Sequence, residues 1–176
     1  MISNKAIARS FIEHKIKRDD PSLLSVLETE IVNTLLVESS IVENEYNFDN
    51  LLTTFSSWVN DIPAESVKYF STIIERTLEE ETLCWGRIVV TFAYAGYITL
   101  KYVNDKSVEI IDDVINILGE LVDTKAASWI ENVGGWKNFL GYVKKEHDAL
   151  NSILTTVILG CISIYVLKLF FIKVFF

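Results

Sequence analysis

The chain has few of the residues that build disulfide scaffolds, metal sites and all-β folds. Its 176 residues include two Cys, two His, two Pro and seven Gly. Two Cys, one of them in an apolar tail, exclude a disulfide scaffold and suit a reducing compartment. So few Pro and Gly residues argue against an all-β protein with many tight turns. The length is sufficient for one domain that buries its own core.

Recognisable catalytic motifs are also missing from the sequence. Neither His14 nor His147 lies near a Cys or a carboxylate at metal-ligand spacing, and there is no phosphate-binding glycine loop or nucleophile elbow. Carboxylate pairs such as Asp112 and Asp113 fall among residues of helical period, where a solvated helix face explains them. We therefore expect no enzyme activity, no cofactor, no metal site and no small-molecule substrate.

Positive charge is scarce as well. The chain has 16 Lys and Arg against 24 Asp and Glu, which gives a net charge of −8. The charged residues after Ile153 are Lys168 and Lys173, so the acidic excess belongs to the rest of the chain. An acidic body argues against nucleic acid as a partner. The apolar fraction of 50%, with 23% charged residues, excludes intrinsic disorder.

The sequence does contain apolar residues at helical spacing along most of its length. Such spacing predicts a first helix capped by Ser3, and the charges within it exclude a signal peptide. The apolar residues of this helix are Ile7, Phe11, Ile12 and Ile16. A second helix is expected to start at Pro21 or Ser22, and Glu43–Asn50 is expected to be a loop or a helix entry. A third helix over about Phe48–Val59 and a fourth over about Ala64–Glu80 follow.

The segment from Ile88 to Leu100 contains no charged residue. Because a bilayer requires about 20 apolar residues, this segment predicts a buried central helix, over 83–102, and not a membrane span. Asn104 and Asp105 open the next helix, which has an apolar stripe. Two short helices near Ala126–Asn132 and Trp136–His147 are split by Gly134 and Gly135. The prediction is an all-α bundle of about eight helices.

The C-terminal segment is the strongest compositional signal. No charge occurs from Ile153 to Leu167, and Lys168 and Lys173 are the charges that follow. Lysines near a helix end can extend to the membrane interface. We expect a helical domain over 1–150, in the cytosol, and a transmembrane tail anchor over 151–176. The alternative is a C-terminal helix buried in the core.

Two motifs then point to a family. Residues 84–89 read CWGRIV and residues 129–136 read WIENVGGW. Together they resemble the first and second homology motifs, NWGRIV and WIxxxGGW, of the Bcl-2 apoptosis-regulator family. The run from Ile7 to Ile16 resembles the fourth homology motif, typical of survival members. The chain departs from the third motif, LxxxGD: Leu27 is kept, but Ile31 and Val32 replace Gly-Asp. Cys84 replaces the usual Asn.

The resemblance implies an apolar groove, lined by helices two to five, that accepts an amphipathic helix. That ligand would be the Bcl-2 homology 3 segment of death-promoting relatives of the Bim, Bak or Bax type. Arg87 would bind the ligand's Asp, since an Arg fork holds a carboxylate with two hydrogen bonds, and Gly86 would let the ligand backbone approach. The other expected groove residues are Ile74, Leu78, Val89, Val90, Tyr94, Phe48, Leu52 and Phe55.

Structural readings of the same residues remain open. Arg87 could instead pair with the acidic run Glu79–Glu81, and Gly86 could merely mark a helix start. Trp85, Trp129 and Trp136 are expected to pack in the core and at corners, and Gly134 and Gly135 to allow a tight turn.

The functional expectation is an inhibitor of apoptosis at the mitochondrial outer membrane, facing the cytosol, with the endoplasmic reticulum membrane as a second location. The short link between the first two helices resembles virus-encoded members. Two alternatives are a pore-forming, death-promoting member of the same fold, and a tail-anchored adaptor that has lost groove binding. Membrane permeabilisation by the pure protein would favour the pore-forming member, and failure to bind any homology 3 peptide would favour the adaptor.

Overall fold

The regular structure of the described residues is helical throughout. The computed structural model describes residues 2–17, 24–45, 70–75, 77–78, 83–103 and 108–148. The helices in these ranges are α1 (Asn4–Lys15), α2 (Val26–Glu45), α3 (70–75), α4 (Trp85–Val103), α5 (Val108–Leu121), α6 (Ala127–Asn132) and α7 (136–148), with a π-helical turn at Val122–Ala126. The all-α prediction is confirmed for these ranges, and the predicted third helix lies outside them.

Helix α1 begins as the sequence predicts. The Ser3 hydroxyl accepts a hydrogen bond from the Ala6 N–H at 3.2 Å, which satisfies one of the free donors of the first turn. Ile7, Phe11 and Ile12 are fully buried, so the predicted apolar face is the packed face. The helix ends before Lys17, whose φ of 55° is in the left-handed region.

Helix α2 begins later than predicted. Leu24 and Ser25 are not helical, so the expected start at Pro21 or Ser22 is wrong. The reason is a capping box: the Glu28 N–H donates to the Ser25 hydroxyl at 3.3 Å, and the Ser25 N–H donates back to the Glu28 carboxylate at 3.0 Å. The Ser25 hydroxyl also donates to that carboxylate, and these bonds lower the pKa of Glu28.

The other end of α2 also differs from the prediction, because the helix continues through Glu43 to Glu45, in the segment expected to be a loop or a helix entry. The Lys15 ammonium donates to both carboxylate oxygens of Glu43 at 2.8 Å, which ties the end of α1 to the last turn of α2. The Lys15 side chain is 9% exposed, so this ion pair is largely removed from solvent. Burial makes the pair costly to break, because either charge alone would be left uncompensated.

Helix α4, in which residues 88–100 are uncharged, is the core of the bundle, as predicted. Ile88, Phe92 and Ala95 are fully buried, and α1, α2 and α5 all pack against this helix. Two buried polar residues, Thr91 and Thr99, donate to the carbonyls of Arg87 and Ala95 one turn earlier. These internal bonds allow hydroxyl groups to lie in an apolar core without a desolvation penalty.

Two glycines let α1 lie close to its neighbours. A Cβ at Gly96 of α4 would lie 3.2 Å from Lys15 Cε, and one at Gly119 of α5 would lie 3.2 Å from the Lys5 Cα. Because the second contact is with backbone, α1 would have to shift by a few tenths of an ångström if Gly119 had a side chain. The close packing of α1 therefore depends on a residue in the second half of the chain.

The end of the chain forms a separate unit. The chain divides into Met1–Phe139 and Leu140–Phe176, and residues 140–148 of the second unit are described as helical. The predicted anchor over 151–176 lies outside the described residues. Among the residues that the structure does describe, no helix is both long and apolar enough to cross a membrane.

Candidate functional site

An aromatic cluster surrounds the first residue of α4. The Trp85 ring lies 5.0 Å from Trp129, 5.7 Å from Trp136 and 5.2 Å from Phe139, measured between ring centroids. Trp85 and Trp136 are buried, which confirms their predicted packing role, and Trp129 is partly covered. The cluster therefore fixes the N-terminal end of α4 against α6 and the first residues of α7.

The turn between α6 and α7 brings two of these rings to Trp85. Gly134 and Gly135 have φ values of 100° and 73°. Residues other than glycine adopt such positive φ values only at a cost in conformational energy. The Gly135 N–H donates to the Ile130 carbonyl at 2.7 Å and the Gly134 N–H to the Glu131 carbonyl at 3.1 Å. This pattern closes the end of α6, as the predicted tight turn requires.

Gly86 lies directly after Trp85, on the outer side of this anchored turn. The residue is exposed, and a Cβ built on it would meet the Cys84 Sγ at 3.9 Å, which is ordinary van der Waals contact. The packing of the described residues therefore does not require glycine at this position. Gly86 differs in this from Gly96 and Gly119, which are glycines because of their neighbours in the fold.

Arg87 is half-buried beside Gly86. Its Nη1 donates to the Thr77 carbonyl at 3.3 Å, at the end of the segment that contains α3. The alternative partners Glu79–Glu81 lie outside the described residues. Among the described residues, this bond to a neutral carbonyl engages one of the five guanidinium donors.

The predicted groove residues fall into two groups. Ile74, Leu78, Val89 and Tyr94 are buried in the free chain, at 6% exposure or less, and Val90 is half-buried. The rings of Phe70 and Tyr94 lie 5.8 Å apart, so α3 packs against α4 at this level. Phe48, Leu52 and Phe55 lie outside the described residues. The structure thus brings Arg87 and Thr77 together at one end of a packed apolar face.

The described residues also contain a polar network that sequence reasoning missed. The buried Trp136 Nε1 donates to the Asn4 Oδ1 at 2.6 Å, and the Asn4 Nδ2 donates to the Asp123 Oδ1 at 2.8 Å. These residues are far apart in the sequence, so no local pattern reveals the network. The presence of a Trp that must satisfy its N–H when buried was the one available signal.

The sequence profile described as "Apoptosis regulator proteins, Bcl-2 family" matches residues 36–136. This match covers more than half of the chain. The chain belongs to the Bcl-2 family. The match includes Gly86, Arg87, all three rings Trp85, Trp129 and Trp136, and the glycine turn between α6 and α7.

Individual Bcl-2 family members are similar over shorter stretches. The chain is 32% identical over 79 residues to Bcl-2-related protein A1 of Bos taurus, which covers 43% of this chain and 44% of that protein. It is 29% identical over 91 residues to Bcl-2-related ovarian killer protein homolog A of Danio rerio, covering 51% of this chain and 41% of that protein. The chain thus spans less than half the length of these curated relatives.

A solved Bcl-2 family structure has the same fold. The crystal structure of Trichoplax adhaerens trBcl-2L2 bound to trBak BH3 superposes with a TM-score of 0.66 at 18% identity. The superposition covers 80% of this chain and 97% of the other. At this identity the likeness establishes the helical fold and nothing finer.

Proposed function

We propose that this chain suppresses apoptosis by binding the amphipathic homology 3 helix of death-promoting relatives. The observation that carries the proposal is Gly86, which is exposed and, with respect to the described residues, has room for a Cβ that the sequence does not provide. Glycine lowers helix stability, so its presence in an exposed first turn calls for a reason outside the free chain. Close approach of a partner backbone supplies that reason.

Arg87 supplies the polar contact for such a partner. It is adjacent to Gly86, half-buried, and bonded at 3.3 Å to the Thr77 carbonyl alone among the contacts described for it. A ligand Asp would meet it at the rim of an apolar surface, where a bidentate contact is both strong and directional. The ligand's apolar side chains would require Ile74, Leu78, Val89 and Tyr94 to become accessible, since these are buried in the free chain.

A survival role is favoured by α1 and α2. Helix α1 carries the stretch that resembles the fourth homology motif, and its apolar residues are packed in the core. At the Gly-Asp position of the third motif, α2 has Ile31 and Val32, which are both buried. A death-promoting member needs that Asp on its own homology 3 helix to bind the Arg of another member, and an apolar Val32 cannot form that bond.

The proposal places the protein at the mitochondrial outer membrane, held by residues 151–176, with the domain of residues 1–150 in the cytosol. The uncharged run from Ile153 to Leu167 supports this location. A pore-forming role is the second candidate, because one matched relative is named a killer protein and because the uncharged run 88–100 of α4 is followed by α5, which has an apolar stripe. Release of dye from lipid vesicles by the pure protein would favour that candidate.

The experiment that tests the proposal is a double-mutant cycle measured by titration calorimetry. The peptides are homology 3 segments of Bim, Bak and Bax, each with its Asp or with Ala in its place. Arg87→Ala is expected to lower affinity roughly tenfold to a few hundredfold, about 1.4–3 kcal/mol, because a rim pair is lost. The same loss is expected from the peptide Asp→Ala change.

The two losses should not add, since they remove one interaction. Additive losses would show that Arg87 does not meet the carboxylate. Failure of the unmodified chain to bind any of the peptides would instead favour the adaptor alternative.

A further inference from the structure

The position of Arg87 depends on how the first turn of α4 is held. Trp85 precedes Gly86 and Arg87 by one and two residues, and its ring is surrounded by Trp129, Trp136 and Phe139 at 5.0–5.7 Å. Because buried rings of this size cannot shift without opening a void, Trp85 fixes the turn to which the two predicted binding residues belong.

Trp136 is the member of the cluster with a polar requirement. It is 3% exposed and its ring also lies edge-on to Phe92 at 6.2 Å and to Phe139 at 5.9 Å. An indole N–H is a donor only, and burial makes an unpaired donor costly. The Asn4 Oδ1 accepts this bond at 2.6 Å, so a residue at the start of α1 sets the orientation of the Trp136 ring.

Asp123 in turn sets the orientation of Asn4. Its carboxylate accepts a hydrogen bond from the Asn4 Nδ2 at 2.8 Å, which directs the Asn4 carbonyl oxygen towards Trp136. Asp123 lies in the π-helical turn Val122–Ala126, whose extra residue per turn changes the direction of the side chains relative to α5. A short chain of contacts therefore runs from Asp123 through Asn4, Trp136 and Trp85 to Gly86.

We infer that Asn4 is a positioning residue for partner-helix binding: through its hydrogen bond with Trp136 it holds the aromatic cluster that places Gly86 and Arg87. The inference rests on the proposed function. Asn4 lies outside the family match at residues 36–136, and it touches none of the predicted groove residues in the contacts described for it.

The test uses the full chain, a Bim homology 3 peptide and a charge swap between the two polar residues. Asn4→Asp replaces the hydrogen bond between Asn4 and Asp123 with two carboxylates that repel each other. The side chain at position 4 is therefore expected to move away from Trp136. Affinity for the peptide is expected to fall roughly fivefold to tenfold, because the buried Trp136 N–H loses its acceptor and part of that free-energy cost appears as weaker binding. Asp123→Asn alone is expected to have an effect below about twofold, because a neutral oxygen still accepts from Asn4.

The double variant Asn4→Asp with Asp123→Asn restores both bonds, since the new carboxylate can accept from Trp136 and from the amide at position 123. It is expected to recover affinity to within about twofold of the unmodified chain. The Trp136 Nε1–H resonance, assigned with Trp136→Phe, should shift in Asn4→Asp and return in the double variant. Rescue by exchanging the charge and the amide traces the loss to these two hydrogen bonds, and a separate stability control distinguishes positioning from a general loss of stability.

The control for stability is Ile7→Val, which removes one methyl group from a fully buried position on the same helix. It is expected to lower stability and leave peptide affinity unchanged. The inference is overturned if the unmodified chain binds the peptide and Asn4→Asp binds equally well, or if the double variant stays weak. It is also overturned if Ile7→Val weakens binding as much as Asn4→Asp. If the unmodified chain binds no Bim, Bak or Bax peptide, the proposed function fails instead.

Discussion

A substitution at Gly86 should have opposite effects on the stability of the free chain and on partner binding. In the free chain a Cβ at this position would meet, among the described residues, the Cys84 Sγ at 3.9 Å, so Gly86→Ala introduces no clash with them. Alanine is favoured over glycine in a helix interior by about 1 kcal/mol, and Gly86 is the second residue of α4, where roughly half of that applies. The free energy of unfolding should therefore rise by about 0.5 kcal/mol.

The affinity for the partner helix should instead fall. If a helix lies across Gly86 at backbone contact, an added methyl group acts as overpacking, which costs about 1–3 kcal/mol in a tight interface. That range corresponds to a loss of affinity of about fivefold to 150-fold. Gly86→Glu should abolish measurable binding, while the fold survives because an acidic side chain is favourable in the first turn of a helix.

The assay pairs urea unfolding with titration calorimetry against the same homology 3 peptide. Gly141→Ala is the matched control, because Gly141 is also helical, exposed and free of neighbours within 4 Å of an added Cβ. It should stabilise the chain and leave affinity unchanged. Unchanged affinity in Gly86→Ala and Gly86→Glu, with both proteins folded, would refute the reasoning, since no partner backbone would then pass this glycine.

Three further outcomes are expected. Deleting residues 151–176 should release the protein from membranes with peptide affinity retained, and carbonate-resistant membrane association of the truncated chain would contradict the anchor. Gly119→Ala should lower the free energy of unfolding by about 1–2 kcal/mol, because the new Cβ would lie 3.2 Å from the Lys5 Cα, and an equally stable variant in urea unfolding would contradict the close contact. Glu28→Ala should cost roughly 0.5–1 kcal/mol at pH 7 through loss of the capping box. The hydrogen bonds from Ser25 lower the pKa of Glu28, so the stabilisation by its carboxylate is present above the unfolded-state pKa of about 4.3 and is lost as pH falls through the lower folded-state value. The difference in free energy of unfolding between Glu28→Ala and the unmodified chain should therefore shrink in urea unfolding at pH 3. A constant difference would contradict the ionised cap.

Elements with a strong local pattern were predictable from the sequence. Helix α4 could be recognised because the absence of charge from Ile88 to Leu100 leaves no face for solvent. The Ser3 cap and the glycine turn at Gly134 and Gly135 were predictable because each depends on neighbours within a few residues. The start of α2 differs from the prediction although its signal is local: Ser25 and Glu28 have the spacing of a capping box, which sets the helix start in place of the proline at position 21.

Other features could not be predicted because they depend on long-range packing. The sequence does not distinguish Gly119, which lies tightly against the Lys5 backbone, from Gly86, which has room for a Cβ among the described residues. The motif indicates the location of Arg87 at the start of α4, but its bond to the Thr77 carbonyl depends on how α3 packs. The burial of Ile74 and Leu78 in the free chain is likewise a tertiary fact, because helical spacing shows an apolar face without showing what covers it.

The dependence of α1 on distant residues has a consequence for how the protein is made. Helix α1 is synthesised first, yet Gly119 and Trp136, which receive Lys5 and Asn4, are synthesised more than a hundred residues later. At a translation rate of about 5–20 residues per second, the ribosome takes roughly 5–20 seconds to span that interval. During this time α1 lacks the part of its cover that α5 supplies, so the nascent chain exposes apolar surface for longer than a fold with neighbouring contacts would.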